Sequence, residues 1–199
     1  VRDGNVESRL LFHFEDGSSY DEIVVFSQDR VFRVLSYSLV QKGPSFASSL
    51  DVSFDRKTGR YRARSRESGD DEDETADGEA EIPEDVYNGM GGVLMRNTDG
   101  RASGYQLAFT PKPHLLTMKI APAGTDHFSV GRTRREADRY LMKFEIGGIT
   151  GLIAKLIGKS PPEVYYWFAD PAPGFLKFEG PMYLGGPVWR IEPAPARWE

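Results

Sequence analysis

Short runs of β-favouring residues, separated by turn signals, dominate this sequence and limit the folds open to it. The runs VESRLLFHFE (6–15) and YDEIVVFSQ (20–28) flank Asp16-Gly17-Ser18, which is typical of a β-hairpin. We count roughly ten or eleven such runs along the chain. Strands that follow one another without regular helices do not suit a parallel sheet. The pattern therefore predicts a mainly β fold, a long antiparallel meander curled into a half-barrel or open barrel.

Two segments break the period of two and predict two short helices. In residues 82–97, Pro83 suits a first helical turn, and Val86, Met90 and Leu94 fall on one side at helical spacing. The second segment, 149–157, is apolar on one side and carries Lys155 on the other. We expect this second helix to close the open edge of the curved sheet.

Length and charge limit the class of protein. A chain of 199 residues with 39% hydrophobic content can bury one core, so we expect a single β-rich domain over 1–199. The formal charge is −5, whereas proteins that bind nucleic acid backbones carry an excess of Lys and Arg. Nucleic acid is therefore not an expected partner.

The most strongly charged part of the chain is a hairpin followed by an acidic run. LDVSFDRKTGRYRARSRE turns at 55–59, and its four arginines from Arg60 to Arg66 share one face by the period of two. Residues 67–81 hold nine carboxylates and no large apolar side chain until Ile82. We interpret 67–81 as a mobile acidic hairpin tip whose returning end sets Glu79 and Glu81 opposite the arginines.

No motif in the sequence carries a catalytic or cofactor-binding chemistry. Gly158-Lys159-Ser160 follows a candidate helix and precedes two prolines, so it is typical of a helix end and not of a phosphate loop. The three histidines, His13, His114 and His127, have no ligand spacing. We predict no catalytic residue, no metal and no cofactor; a hydrolase remains a third hypothesis without a candidate triad.

Compartment is only loosely constrained. The chain has no cysteine, which suits an exported bacterial protein and a cytoplasmic one equally well. It begins at Val1, and we expect that an N-terminal segment has been removed, by a signal peptidase or during preparation of the protein. The longest apolar run is shorter than the roughly 20 residues that span a bilayer, so no membrane span is expected.

Aromatic and aliphatic residues in the last quarter of the chain suggest an apolar site. In EVYYWFAD, Tyr165 and Trp167 face one side of a strand while Tyr166 and Phe168 face the other. Rings on both faces are typical of a core with a cover, or of a groove for an apolar ligand. The candidate ligand-binding residues are Ile149, Leu152, Ile153, Leu156, Tyr165, Trp167, Phe175 and Trp189.

The C-terminal third also resembles a bacterial class of uncharacterised exported half-barrel domains. The resemblance rests on ADRYLMKFEIGG, EVYYWFAD, GFLKFEGPMY and VWRIE, with Tyr140, Trp167 and Glu179 at the matching positions. It implies a periplasmic or exported protein with a curved sheet whose concave apolar face is covered by short helices. It implies no catalytic residue, since the class has no settled activity.

Two hypotheses of function follow. The first is a non-enzymatic exported protein whose curved sheet binds a lipid-like or other apolar ligand. The second is an envelope scaffold or protein-interaction domain with a filled core and no small-molecule ligand. An envelope protein would then bind its exposed strands or its acidic tip.

Overall fold

The computed structural model describes residues 4–109, 112–130, 133–145, 163–171, 174–183 and 185–193. These residues form two six-stranded antiparallel sheets and one helix. The first sheet contains β1 (Asn5–His13), β2 (Ser19–Ser27), β3 (Arg33–Lys42), β4 (Ser48–Asp55), β5 (Arg60–Glu67) and β6 (Glu74–Glu79). The second contains β7 (Ala102–Phe109), β8 (Pro113–Val130), β9 (Thr133–Glu145), β10 (Glu163–Phe168), β11 (Phe175–Pro181) and β12 (Val188–Ile191).

Each sheet is a meander, as the sequence predicts. Within each sheet the neighbouring strands follow one another in the chain, from β1 to β6 and from β7 to β12. Both sheets are open within the described residues, and β1, β6, β7 and β12 are their edges. The mainly antiparallel β class is therefore confirmed.

The described residues form twelve strands where the sequence predicts ten or eleven, and one of them, β8, is longer than any predicted strand. The runs HLLTMKIA (114–121) and HFSVGRTR (127–134) predict two strands, and Pro122 between them lacks a backbone N–H and is unfavourable inside a strand. In the structure the register between β8 and β9 shifts between Pro122 and Gly124, and pairing resumes beyond the shift. A local irregularity thus accommodates the proline, and one long strand replaces two short ones.

The two faces of the first sheet differ in burial. One cross-strand row consists of Val24, Tyr37, Phe54 and Tyr61, each paired directly with the next. The first three are buried, and the rings of Tyr37 and Phe54 stack at 5.5 Å between centroids. Since alternate side chains point to opposite faces, this face forms the core of the sheet and the other one is open.

The first helix is shorter than predicted. The prediction that a helix begins at Pro83 is wrong, because α1 spans only Gly91–Asn97. Upstream, Tyr87 N–H donates to Tyr105 O at 2.8 Å, and Tyr105 N–H donates to Asp85 O at 2.8 Å. This parallel bridge to β7 takes the backbone groups that a helix would use, and the apolar residues Val86 and Met90 are buried without helical geometry.

A glycine in β7 permits that bridge. A Cβ at Gly104 would lie 2.4 Å from Asp85 O, so any side chain there would collide with the bridging segment. Asn88 anchors the same segment with its side chain. Its Nδ2 donates to Leu107 O at 2.9 Å, and its Oδ1 accepts from Leu107 N–H at 2.8 Å.

The chain divides into two compact units. One comprises Val1–Gly91 with Gly104–Leu116, and the other Gly92–Ser103 with Thr117–Glu199. The prediction of a single domain over 1–199 stays a prediction. The predicted helix at 149–157 lies outside the described residues, as do the candidate residues Ile149, Leu152, Ile153 and Leu156.

Candidate binding surface

A groove of about 820 Å³ lies on the open face of the first sheet. It follows one row of directly paired residues across β2 to β6: Ile23, Ser38, Ser53, Arg62 and Asp77. Neighbouring residues on the same face extend it, namely Ser36, Asp55, Arg60 and Glu79. One surface therefore combines an aliphatic side chain, three hydroxyls and charged groups of both signs.

Strand alternation builds this groove. Ser36 and Ser38 flank the buried Tyr37, and Ser53 precedes the buried Phe54. Large side chains thus fill the core face while small hydroxyls form the floor of the open face. The serines are only half-buried, so the floor is accessible.

The carboxyl of Asp55 is fixed at the end of the groove. Its Oδ1 accepts hydrogen bonds from the backbone N–H and the hydroxyl of Thr58, both at 2.8 Å. These bonds, the backbone one first, hold the pKa of Asp55 below its usual range. This end of the groove therefore carries a negative charge at neutral pH.

The arginine ladder predicted from the sequence is present, and three of its members are paired. Arg60 Nε lies 3.7 Å from Glu79 Oε1, Arg64 Nη2 lies 3.2 Å from Asp51 Oδ2, and Arg66 Nε lies 3.6 Å from Asp73 Oδ1. The predicted opposition of Glu79 to the arginines is confirmed, whereas Glu81 lies beyond the end of β6. Among the described residues, Arg62 has no carboxylate within 4.0 Å. These exposed pairs between β5 and its neighbours stabilise the first sheet by at most about 1 kcal/mol each.

The β5–β6 hairpin concentrates the charge of the protein. Residues 60–81 contain four arginines and nine carboxylates, a formal charge of −5. That value equals the formal net charge of the whole chain, so the remaining residues are balanced in charge. The four arginines equal in number the carboxylates of β5 and β6, so the excess negative charge lies in the tip at 68–73 and at Glu81.

A polar cluster on the core face, centred on the half-buried Glu22, was not predicted from the sequence. Glu22 Oε1 accepts hydrogen bonds from Tyr37 Oη at 2.8 Å and from Tyr20 Oη at 3.2 Å. Desolvation raises the pKa of Glu22, and the two hydrogen bonds oppose the rise. The segment 88–90 covers it, since a Cβ at Gly89 would lie 3.4 Å from Glu22 Cδ. The sequence feature that indicates this position is the alternation in YDEIVVF, which puts Glu22 on the same face as Val24 and Phe26.

The predicted aromatic site does not form one surface among the described residues. Tyr165 and Trp167 share one face of β10, with ring centroids 6.0 Å apart. The ring of Phe175 instead lies 6.0 Å from Phe168, which points to the opposite face. Trp189 pairs with Gly180, on the face to which Phe178 also points. The prediction that both faces carry rings is confirmed, and the four described candidates divide between those faces.

Protein side chains already occupy the surroundings of Trp167. Its Nε1 donates to Asp126 Oδ2 at 2.7 Å, and the ammonium of Lys177 lies 4.4 Å from the centre of its ring. Arg139 Nη1 also donates to Asp126 Oδ2, at 3.0 Å. With 6% of its surface exposed, Trp167 presents almost nothing to a ligand.

The opposite face of β10 is likewise packed. The rings of Tyr166 and Phe168 are parallel within 2°, and Phe178 meets Tyr166 edge-on at 5.1 Å. Arg96 of α1 lies 5.8 Å above the Phe168 ring and forms an ion pair with Asp170 at 2.8 Å. These contacts stabilise the second sheet.

Comparisons with known proteins give this chain no family: no family model, curated protein or solved structure matches it. Within the described ranges, no group of three or more His, Cys, Asp or Glu side chains could hold a metal ion. No helix in the same ranges has the length and hydropathy to cross a membrane.

Proposed function

We propose that this chain is a non-enzymatic interaction protein with a filled core, which binds another protein through the open face of its first sheet. The site comprises the groove from Ile23 to Glu79 and the acidic hairpin beside it. Its partner is expected in the bacterial envelope, as the resemblance of the C-terminal third implies for an exported protein.

One observation carries the proposal: most large side chains near the groove are used in packing, and the groove combines polar with apolar atoms and is not largely apolar. Tyr37 and Phe54 stack in the core of the first sheet, and Trp167 is enclosed in the second. The lining of the groove includes hydroxyls and charged groups as well as Ile23 and Tyr61. Polar and charged surfaces bind proteins or polar ligands, whereas apolar ligands are held in largely apolar pockets.

The second candidate is the carrier of a lipid-like ligand in a half-barrel. It is favoured by the apolar side of the predicted helix at 149–157, in particular Ile149, Leu152 and Ile153. That candidate requires an apolar concave face. The two candidates differ in what the purified protein should bind.

The test combines cross-linking with lipid uptake on the full chain. Purified protein is cross-linked in a bacterial envelope extract, and the products are identified by mass spectrometry. A delipidated sample is titrated with a fluorescent fatty acid. We expect one discrete protein partner and no saturable fatty-acid uptake.

The test variant is Asp77→Asn/Glu79→Gln, and its matched control is Glu15→Gln/Glu136→Gln. Both double variants raise the charge by two, but Glu15 and Glu136 are exposed residues outside the groove. The cross-link should weaken only in the first variant. Saturable uptake of the fatty acid together with no protein cross-link would overturn the proposal in favour of the carrier.

A further inference from the structure

The edge strand β6 combines free backbone groups with an acidic side-chain row. It is the last strand of the first sheet, and no described strand pairs with its outer side. Ala80 N–H donates to Gly59 O at 2.9 Å, so Ala80 faces β5. By the two-residue period of an antiparallel ladder, the N–H and C=O groups of Thr75, Asp77 and Glu79 point away from β5.

These three residues also direct their side chains to the open face. They are paired in register with Arg64, Arg62 and Arg60, and Asp77 and Glu79 line the groove. One strand therefore offers hydrogen-bonding groups at its edge and carboxylates beside it. Strand addition by an extended peptide uses this combination: the backbone hydrogen bonds give affinity, and the alternate side chains give specificity.

The charge selects the occupant. A second copy of this chain would bring the same acidic edge, and like charges on adjacent strands repel. β6 itself carries Glu74, Asp77 and Glu79 and no basic residue, and the tip at 68–73 adds four carboxylates, so a basic strand beside β6 is favoured over a neutral or acidic one.

We propose that the outer edge of β6 is a docking site for an extended segment of another protein with lysine or arginine at alternate positions. The segment pairs with Thr75, Asp77 and Glu79 through its backbone, and its basic side chains reach Asp77 and Glu79 in the groove. This inference rests on the proposed function and names the chemistry of the partner.

The test uses synthetic nine-residue peptides and the full-length protein. One peptide alternates lysine with threonine, and its partner peptide has glutamate at the lysine positions. Binding is measured by fluorescence anisotropy, and amide shifts are mapped by NMR. We expect only the basic peptide to bind, with the largest amide shifts along 74–79. Its affinity should fall as the salt concentration rises from about 0.05 to about 0.5 M, because the Debye length shortens and the charges are screened.

Two variants separate strand pairing from general attraction. Asp77→Asn/Glu79→Gln should weaken binding about three- to tenfold, while Glu15→Gln/Glu136→Gln should not change it. Thr75→Pro removes one outward N–H and leaves every charge in place, and prolines are tolerated at such edge positions. It should weaken binding by a similar factor and leave the circular dichroism spectrum unchanged.

Several results would overturn the inference. They are no binding of the basic peptide, equal binding of the acidic one, shifts confined to 68–73, or an affinity that Thr75→Pro leaves unchanged. A protein cross-link that survives these β6 variants would refute this docking site alone, and the proposed interaction role would stand. Fatty-acid uptake without a cross-link would instead refute the role itself.

Discussion

At the scale of single residues, Glu22 is the side chain whose chemistry is least expected from its position. It lies on the core face of β2 between Tyr20 and Val24, where apolar residues predominate. Hydrogen bonds from Tyr20 and Tyr37 satisfy its carboxyl, but desolvation still raises its pKa. A group whose pKa is higher in the folded than in the unfolded protein stabilises the fold only while it is protonated.

The stability of the protein should therefore depend on Glu22 in a defined direction. Its contribution is fully present below the unfolded pKa and is lost as pH rises through the raised folded value. Between those two values, the free energy of unfolding attributable to this group falls by about 1.4 kcal/mol per pH unit. Urea unfolding of wild type and Glu22→Gln from pH 4 to 8 measures this, and the variant should lack that loss.

Glu15→Gln is the control for that experiment. Glu15 is exposed and follows β1 in the hairpin turn, so its substitution should leave the pH profile as in the wild type. A Glu22→Gln profile that coincides with the wild-type profile at every pH would show that Glu22 has no raised pKa.

Asn88 supports a second prediction at this scale. Its side chain forms two buried hydrogen bonds with the backbone of Leu107, at 2.9 and 2.8 Å. Asn88→Ala leaves a buried N–H and a buried C=O without these bonds, which should cost about 2–4 kcal/mol of unfolding free energy. Asn97→Ala removes one exposed bond to Val93 O and should cost less than about 1 kcal/mol, also by chemical denaturation. Equal losses in the two variants would contradict the bridging role of Asn88.

At the scale of elements, the acidic run divides into two parts with different roles. Residues 74–79 form β6, which is paired with β5 from Arg60 to Ser65. Only 68–73 remain as the tip, where Asp73 lies 3.6 and 3.8 Å from the two nearest arginines. The sequence pattern predicts a single tip over 67–81, because carboxylates and small residues are unfavourable in strands. Cross-strand pairing with the arginine ladder outweighs that preference.

Two deletions should therefore behave differently. Replacing 68–73 with Asn-Gly keeps β5 and β6 and should change the unfolding free energy by less than about 1 kcal/mol, since loop length and exposed ion pairs have small effects. Deleting 67–81 removes the edge strand and exposes the buried Ala63 face of β5, so a lower urea midpoint is expected. A neutral Ser/Gly tip of native length is the control for the shorter deletion. Equal midpoints for the two deletions would show that β6 contributes nothing to the sheet.

At the scale of the whole molecule, each sheet orders its strands as the chain does. Such meanders need only local turns, and the turn signals at 16–18 and 55–59 fall where β1–β2 and β4–β5 reverse. The consequence for function is a first sheet with one filled face and one open face. The open face ends at β6, which carries three carboxylates and no basic residue.

The sequence by itself determined the class of fold, most strand positions and the arginine ladder. These features depend on local alternation and turn chemistry, which a chain carries in its own residues. Tertiary structure decided the rest. The bridge between 85–87 and β7 replaced a helix, the register shift at Pro122 joined two strands, and Trp167 packed beneath Lys177. In each case the residues that make the decisive contacts are distant in sequence or lie on a paired strand. Their hydrogen bonds and packing contacts therefore form only when the chain folds.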